Sequence, residues 1–193
     1  ANVSVPSMAM VRPRGAGFRY TPTERRVMLA DADKLLSAGA DGIVAGGLSS
    51  DGSLDQKLWQ SLRRLSRSRE LVFHRAFDTH NDQPSLLDEL IDAGTDRVLT
   101  SGGASSAWIG RERLADQQLQ SNGRIGVLPG AGITADNAAA LVRVTGCRQL
   151  HGTFRQQIIS RCRQRGRRES PDQPSLCLAR SLSARCREIG RAT

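Results

Sequence analysis

A short phrase recurs at a nearly constant interval along this 193-residue chain. Residues 38–44 are echoed by residues 93–99 and, more loosely, by residues 145–150, so that the glycines of the three copies lie 55 and then 52 residues apart. Each glycine follows a helix-like pattern and precedes an apolar, strand-like one. Half of that interval, about 27 residues, is the length of one strand-plus-helix unit. The chain is therefore predicted to alternate strands with helices.

A further strand-plus-helix unit lies between each pair of neighbouring repeats, as this spacing requires. Six predicted strands begin near residues 8, 42, 71, 97, 124 and 148. Five predicted helices cover residues 22–38, 54–65, 84–93, 111–119 and 135–144. The first helix has the clearest start signal, because Thr21, Pro22 and Glu24 occupy the positions of a capping box.

Strict alternation of this kind predicts a parallel sheet, which is either doubly wound or closed as a barrel. Every predicted strand ends in small or polar residues, whereas a doubly wound sheet concentrates such residues at one switch point. We therefore favour an α/β fold of the (β/α)8 TIM-barrel type, incomplete, with about six of the eight βα units present. Residues 1–155 would form this domain. Residues 156–193 form a basic, Arg- and Cys-containing tail that we expect to be poorly ordered.

The ends of the predicted strands supply the candidate ligand-binding residues. Arg12 and Arg14 stand beside Gly15, an arrangement that suits an anionic group. Either His74 or His151 could act as a general acid or base, with Asp78 as its orienting partner. The other candidates at strand ends are Arg75, Ser101, Gly102, Gly130 and Gly132. Each group also has a plain structural explanation, since polar strand ends commonly satisfy their own turns.

The charge of the chain is concentrated in its tail. The formal net charge is +9, of which residues 161–193 carry +6. That segment contains no aromatic residue on which a base could stack, which argues against nucleic-acid binding. The absence of an apolar run of eighteen residues argues against a membrane span, and the first residues lack a secretory pattern, so a cytoplasmic location is expected. The four cysteines match no common zinc spacing and are expected to be free thiols.

Several strand-end motifs together resemble one known family. The segments are residues 11–15, 73–78, 97–102, 129–133 and 151–152, and they occur in the order and register of the CutC copper homeostasis family. The resemblance covers residues 7–154. It implies a (β/α)8 barrel, a cytoplasmic location, copper as the bound metal, a role in copper tolerance or trafficking, and a homo-oligomer.

The sequence also departs from the pattern of that family. The resemblance implies two further strands before the first one here, each ending near a Glu and a Cys, and those cysteines are associated with copper(I). This chain begins at what resembles the third strand, so it is interpreted as truncated and its metal ligands stay unassigned. Ala131 stands where the family usually has Gly or Ser, and the segment after Phe154 does not resemble the family's final segment.

Three functional hypotheses remain open from the sequence. The first is a copper homeostasis protein, although Cys147 is predicted to lie away from the strand ends and Cu(I) binding is expected to be weak. The second is an enzyme or a small-anion-binding protein that uses the strand ends. Both lysines, Lys34 and Lys57, fall on helices, which disfavours a Schiff-base aldolase. The third is a fragment with little independent activity.

Overall fold

The computed structural model of this chain describes residues 5–153. Strands and helices alternate as the sequence predicts. The five strands are β1 (Met8–Met10), β2 (Gly42–Ala45), β3 (Glu70–Phe73), β4 (Arg97–Thr100) and β5 (Gly126–Pro129). The five helices are α1 (Pro22–Ser37), α2 (Gln56–Ser66), α3 (Gln83–Asp92), α4 (Arg111–Ser121) and α5 (Ala135–Thr145). A 3-10 helix, Arg75–Thr79, follows β3 directly.

The sheet is parallel, and its strands lie in the order in which they occur along the chain, β1-β2-β3-β4-β5. Parallel crossovers are right-handed, so a sheet that grows in one direction carries all its helices on one face. A doubly wound sheet reverses its strand order and carries helices on both faces. The strand order therefore confirms the predicted α/β fold of the TIM-barrel type, in an incomplete form.

The predicted sixth strand is reduced to a single bridge in the part of the chain that the structure describes. His151 N donates to Pro129 O at 2.8 Å, and His151 pairs in parallel with Gly130. The preceding residues do not extend this pairing, because the Cys147 amide turns back to the Thr145 hydroxyl at the end of α5. The prediction of six full strands was wrong in this respect. The predicted tail lies outside the described residues.

The helix-facing side of the sheet forms the main apolar core. Ile43, Leu71 and Phe73 are fully buried there. The Trp59 ring of α2 meets Phe73 edge-on at 5.1 Å, and its Nε1 donates to the Thr95 hydroxyl at 2.9 Å. That hydrogen bond satisfies the only polar atom of the Trp59 ring. The ring can therefore pack between α2 and β3 without the free-energy penalty of an unpaired buried N–H group.

The opposite face of the sheet corresponds to the interior of the barrel. Side chains alternate along a strand, so Val72 and His74 point away from Phe73 and toward this interior. The interior is open on the β1 side, where Met10 is 54% exposed. This opening is consistent with a barrel from which strands are missing.

The start of the first helix confirms its sequence signal, because Thr21 and Glu24 form a complete capping box at α1. At the start of α5, the Thr134 amide donates to Asn137 Oδ1 at 2.9 Å. Among residues 5–153, none of the helices combines the length and the apolar character that crossing a bilayer requires.

Candidate functional site

The sequence-predicted site residues all follow the carboxyl ends of neighbouring parallel strands. We call this edge of the sheet, with the loops that leave it, the mouth; it comprises residues 11–20, 46–55, 74–82, 101–110 and 130–134, together with His151. In TIM-type folds this is the edge at which ligands bind. The side chains at the mouth form three separate groups, centred on Asp78, on His74 and on Gly130.

Asp78 is the hydrogen-bonding centre of the first group. Its carboxylate accepts from Arg75 Nε at 2.8 Å, from the Thr100 hydroxyl at 2.6 Å, and from the amides of Ser101 and Gly103 at 3.1 Å. Asp78 is 8% exposed, so this charge is compensated almost entirely by the protein. The carboxylate ties the loop after β4 to the 3-10 helix after β3.

The loop after β4 uses its own amides in this arrangement. The Gly102 amide donates to the Thr100 hydroxyl at 2.9 Å, while Arg75 donates from its second nitrogen to the Ser101 hydroxyl at 2.9 Å. Gly102 has a φ of +70°, and a Cβ at that position would lie 2.4 Å from the Gly110 carbonyl oxygen. These residues therefore hold the loop after β4 in its conformation. Ligand binding by Ser101 and Gly102 stays a prediction.

His74 is the centre of the second group and is only 4% exposed. Its Nδ1 accepts from the Ala76 amide at 3.2 Å, which leaves the proton of the neutral ring on Nε2. Burial lowers the pKa of His74 to about 4, and the positive charge of Arg12 adds to the shift. The ring is therefore neutral at physiological pH. Nε2 is buried without a hydrogen-bond partner, which costs about 1–3 kcal/mol.

Arg12 and Tyr20 lie beside this histidine. The Arg12 guanidinium stands 4.7 Å from the centre of the Phe18 ring, and the same ring lies 5.0 Å from His74. Arg12 pairs with no carboxylate among the described residues. Burial raises the pKa of Tyr20, whereas the nearby guanidinium groups of Arg12 and Arg14 act to lower it. The Tyr20 hydroxyl is buried close to Arg12, and no acceptor among residues 5–153 takes its proton.

Arg14 is turned away from this group toward its own loop. Its guanidinium pairs with Glu24 and donates to the carbonyl oxygens of Ala16 and Arg19. The ion pair and the Thr21 amide lower the pKa of Glu24 to about 2. Arg14 thus shapes the loop after β1, and its predicted role in holding an anion has no support from this geometry.

The third group joins β5 to His151. The Gly130 amide donates to the Thr100 carbonyl at 2.8 Å, and a Cβ on Gly130 would lie 2.7 Å from Leu99. Ala131 and Gly132 both have positive φ, at 83° and 66°. His151 is exposed beside this turn, where its backbone bridges to Gly130. Its predicted part in a common site stays a prediction.

A cavity of about 560 Å³ opens next to the His74 group. Loops that follow β1, β2 and β3 line it, and Phe18 belongs both to its wall and to the surroundings of His74. The polar lining residues are Arg19, Asp51, Thr79, His80, Asn81 and Asp82. Its volume falls in the range typical of small-molecule sites, although it is an open groove and not an enclosed pocket.

The described residues do not form a copper site. No cluster of three or more His, Cys, Asp or Glu side chains that could hold a metal exists among residues 5–153. Cu(I) prefers thiolate and thioether ligands. Cys147 is buried after α5, and burial raises the pKa of its thiol, which disfavours the thiolate that would bind the metal.

The sequence did not single out Phe18, Tyr20 or His80. Phe18 and Tyr20 follow the Arg12 motif within eight positions, and their aromatic character in a Gly-rich loop was the available signal. His80 lies two residues beyond Asp78, in a loop whose cavity depends on the folded arrangement of three separate segments.

Parallel strands in chain order, helices on one face and polar groups at the carboxyl edge define a TIM-type α/β protein with a candidate ligand site at its mouth. The sequence profile of the CutC family matches residues 1–156. This chain belongs to the CutC family.

Similar proteins come from bacteria and mammals. A CutC family protein of Treponema denticola is 46% identical over 144 residues, covering 75% of this chain and 58% of the relative. The copper homeostasis protein cutC homologs of Mus musculus and Homo sapiens are 41% and 40% identical over 154 residues, covering 80% of this chain and 57% and 56% of the relatives. The chain spans about three-fifths of the length of the curated relatives it matches.

Two solved structures resemble the chain. The crystal structure of a CutC protein from Streptococcus agalactiae has a TM-score of 0.74 and 31% identity, over 77% of this chain and 73% of that one. An aldolase, QR15, has a TM-score of 0.63 at 15% identity, over 77% and 68% of the two chains. The second similarity concerns the fold alone.

Proposed function

We propose that this chain acts in copper homeostasis, at a cytoplasmic location and as part of a homo-oligomer. The observation that carries the proposal is its 40–41% identity to mammalian proteins that are named for copper homeostasis. The chain spans only part of those proteins, so their role is transferred here as a proposal. The membership of the CutC family supports it.

The proposed role does not depend on tight Cu(I) binding by residues 5–153. Cys147 is the one cysteine among those residues, and they contain no cluster of three or more His, Cys, Asp or Glu side chains that could hold a metal. We expect the purified chain, titrated against a chromophoric Cu(I) chelator under reducing conditions, to leave most of the metal on the chelator. A Cys147→Ser variant should give the same curve. Tight one-to-one binding that Cys147→Ser abolishes would contradict this expectation.

The test in cells is copper tolerance. Deleting the gene should lower the copper concentration that halves growth, and expression of this chain should restore at least part of the tolerance. Zinc and cadmium tolerance, measured in parallel, control for a general loss of fitness. Unchanged copper tolerance in the deletion strain would refute the proposed role.

A further inference from the structure

Two buried polar groups near Arg12 have no hydrogen-bond acceptor among residues 5–153. They are Nε2 of His74 and the hydroxyl of Tyr20, and both side chains are only 4% exposed. Buried polar groups in folded proteins are almost always paired, so the two donors near Arg12 call for an explanation. The other buried atoms of this kind among residues 5–153 are Gln117 Oε1 and the Arg25 Nε and Asp55 Oδ2 atoms, which form an ion pair with each other at 2.8 Å. A bound ligand whose atoms accept hydrogen bonds from His74 and Tyr20 would explain why the protein leaves these two groups without an acceptor.

The chemistry of the three groups favours one class of ligand. His74 presents an N–H, because its Nδ1 already accepts from Ala76. The Tyr20 hydroxyl can donate, and the Arg12 guanidinium offers several N–H groups and a full positive charge. Three donors without a protein acceptor match the oxygens of a phosphate or a carboxylate.

The nearby carboxylates are already committed to other partners. Glu24 is held by Arg14 and by the Thr21 amide, and Asp78 is held by Arg75 and the loop after β4. The buried Asp55 pairs with Arg25 at 2.8 Å. Arg12 is therefore the cation at this group whose charge no described carboxylate neutralises. An external anion would neutralise it.

We propose that Arg12, Tyr20 and His74 bind the oxyanion group of a small polar metabolite, and that the rest of the metabolite lies in the neighbouring 560 Å³ cavity. Phe18 connects the two regions, since its ring contacts Arg12 and His74 and also lines the cavity. The hydroxyl, amide and carboxylate groups of Thr79, Asn81 and Asp51 would hydrogen-bond the body of the metabolite. This site is independent of the proposed copper role.

Access to the donors requires a movement of the Phe18 side chain. His74 Nε2 and the Tyr20 hydroxyl have no contact with solvent, whereas the Phe18 ring is half-buried at the surface of the mouth. The backbone of Phe18 is fixed, because its carbonyl accepts from the Leu48 amide at 2.9 Å. Rotation of the ring, with the loop left in place, is therefore the movement that opens the site.

Binding of inorganic phosphate and of citrate to the full chain tests the proposal. Isothermal titration at low ionic strength should show that one of the two anions binds, and the responding anion distinguishes a phosphate site from a carboxylate site. Arg12→Gln should weaken that binding at least about tenfold, the loss expected for one charged hydrogen bond. Arg64→Gln, which removes an exposed arginine on α2 whose guanidinium donates to the Ser61 hydroxyl at 2.9 Å, is the matched control and should bind as the unmodified chain does.

Tyr20→Phe separates a binding role from a structural one. Removing an unpaired buried hydroxyl should raise the melting temperature, and the same change should weaken anion binding several-fold. In the unmodified chain, the ring ¹⁵N spectrum should show His74 protonated on Nε2, with that resonance shifting when the anion binds. Absence of binding by both anions, equal affinities for Arg12→Gln and Arg64→Gln, or an unmoved Nε2 resonance at saturation would each overturn the proposal.

Discussion

The His74 ring is neutral and buried in the folded chain, so adding a proton to it destabilises the folded state. Its pKa is about 4 in the folded chain and 6.5 in an unfolded one. Below pH 6.5 the unfolded chain therefore binds a proton that the folded chain does not accept until about pH 4. We expect the free energy of unfolding to be highest above pH 6.5 and to fall by roughly 3 kcal/mol between pH 6.5 and pH 4 through this group.

Urea unfolding at pH 7.0 and pH 4.5 measures this dependence. His74→Asn keeps an acceptor for the Ala76 amide but cannot titrate, so it should lose less stability than the unmodified chain between the two pH values. His151→Gln replaces an exposed histidine and should follow the unmodified chain. Equal losses in His74→Asn and in the unmodified chain would show that His74 does not carry the effect.

Asp78 is predicted to stabilise the folded chain by holding the loop after β4 against the 3-10 helix after β3. Asp78→Asn keeps the size of the residue but removes its charge and replaces one acceptor oxygen by a donor, which opposes the amides of Ser101 and Gly103. We expect a loss of about 2 kcal/mol in urea unfolding. Asp88→Asn changes an exposed carboxylate 3.8 Å from Arg124 and should cost less than about 0.5 kcal/mol. Similar costs for the two variants would contradict the assigned role of Asp78.

The packing of β2 against β3 at the mouth depends on Gly46. A Cβ on Gly46 would lie 2.5 Å from two atoms of the His74 ring, although the backbone there does not require glycine. Gly46→Ala should therefore displace the imidazole and cost about 1–3 kcal/mol in thermal or urea unfolding. Gly15→Ala is the matched control, because nothing lies within 4 Å of its Cβ and its φ is ordinary. Equal stability of the two variants would mean that the ring has room to move.

The elements themselves were largely predictable from the sequence. The capping residues Thr21 and Glu24 fixed the start of α1, and the alternation of apolar runs located all five described strands. The end of β3 was less predictable, because the segment after Phe73 continues as a 3-10 helix in which Asp78 turns back toward β4. That turn depends on hydrogen bonds to residues more than twenty positions away, which local sequence patterns do not contain.

The sequence predicted where the mouth lies, but it did not predict which side chains of the mouth contact one another. Parallel alternation brings Arg12, His74 and Ser101 to one edge of the sheet whichever side chains they carry. Which of them meet depends on loop conformations, so that Arg14 pairs with Glu24 while Arg12 lies against Phe18. The single bridge of His151 likewise reflects a chain path that its local sequence did not reveal.

The opening of the barrel interior beside β1 has a consequence for association. Within the described residues β1 pairs only with β2, so its other edge carries backbone groups without a strand partner, and Met10 stands 54% exposed next to it. An unpaired strand edge beside exposed apolar surface promotes pairing between chains. We expect the apparent mass of the purified chain, measured by sedimentation or by light scattering after size exclusion, to rise with concentration.

Charge at this edge should oppose that association. Met10→Lys should shift the rise in mass to higher concentration, because a lysine on an edge strand blocks strand-to-strand pairing. Val27→Lys adds the same charge on α1, at a position 45% exposed, and should leave the association unchanged. If Val27→Lys shifted the association as far as Met10→Lys, net charge and not the β1 edge would control it. A constant monomeric mass at all concentrations would mean that the β1 edge is covered in solution.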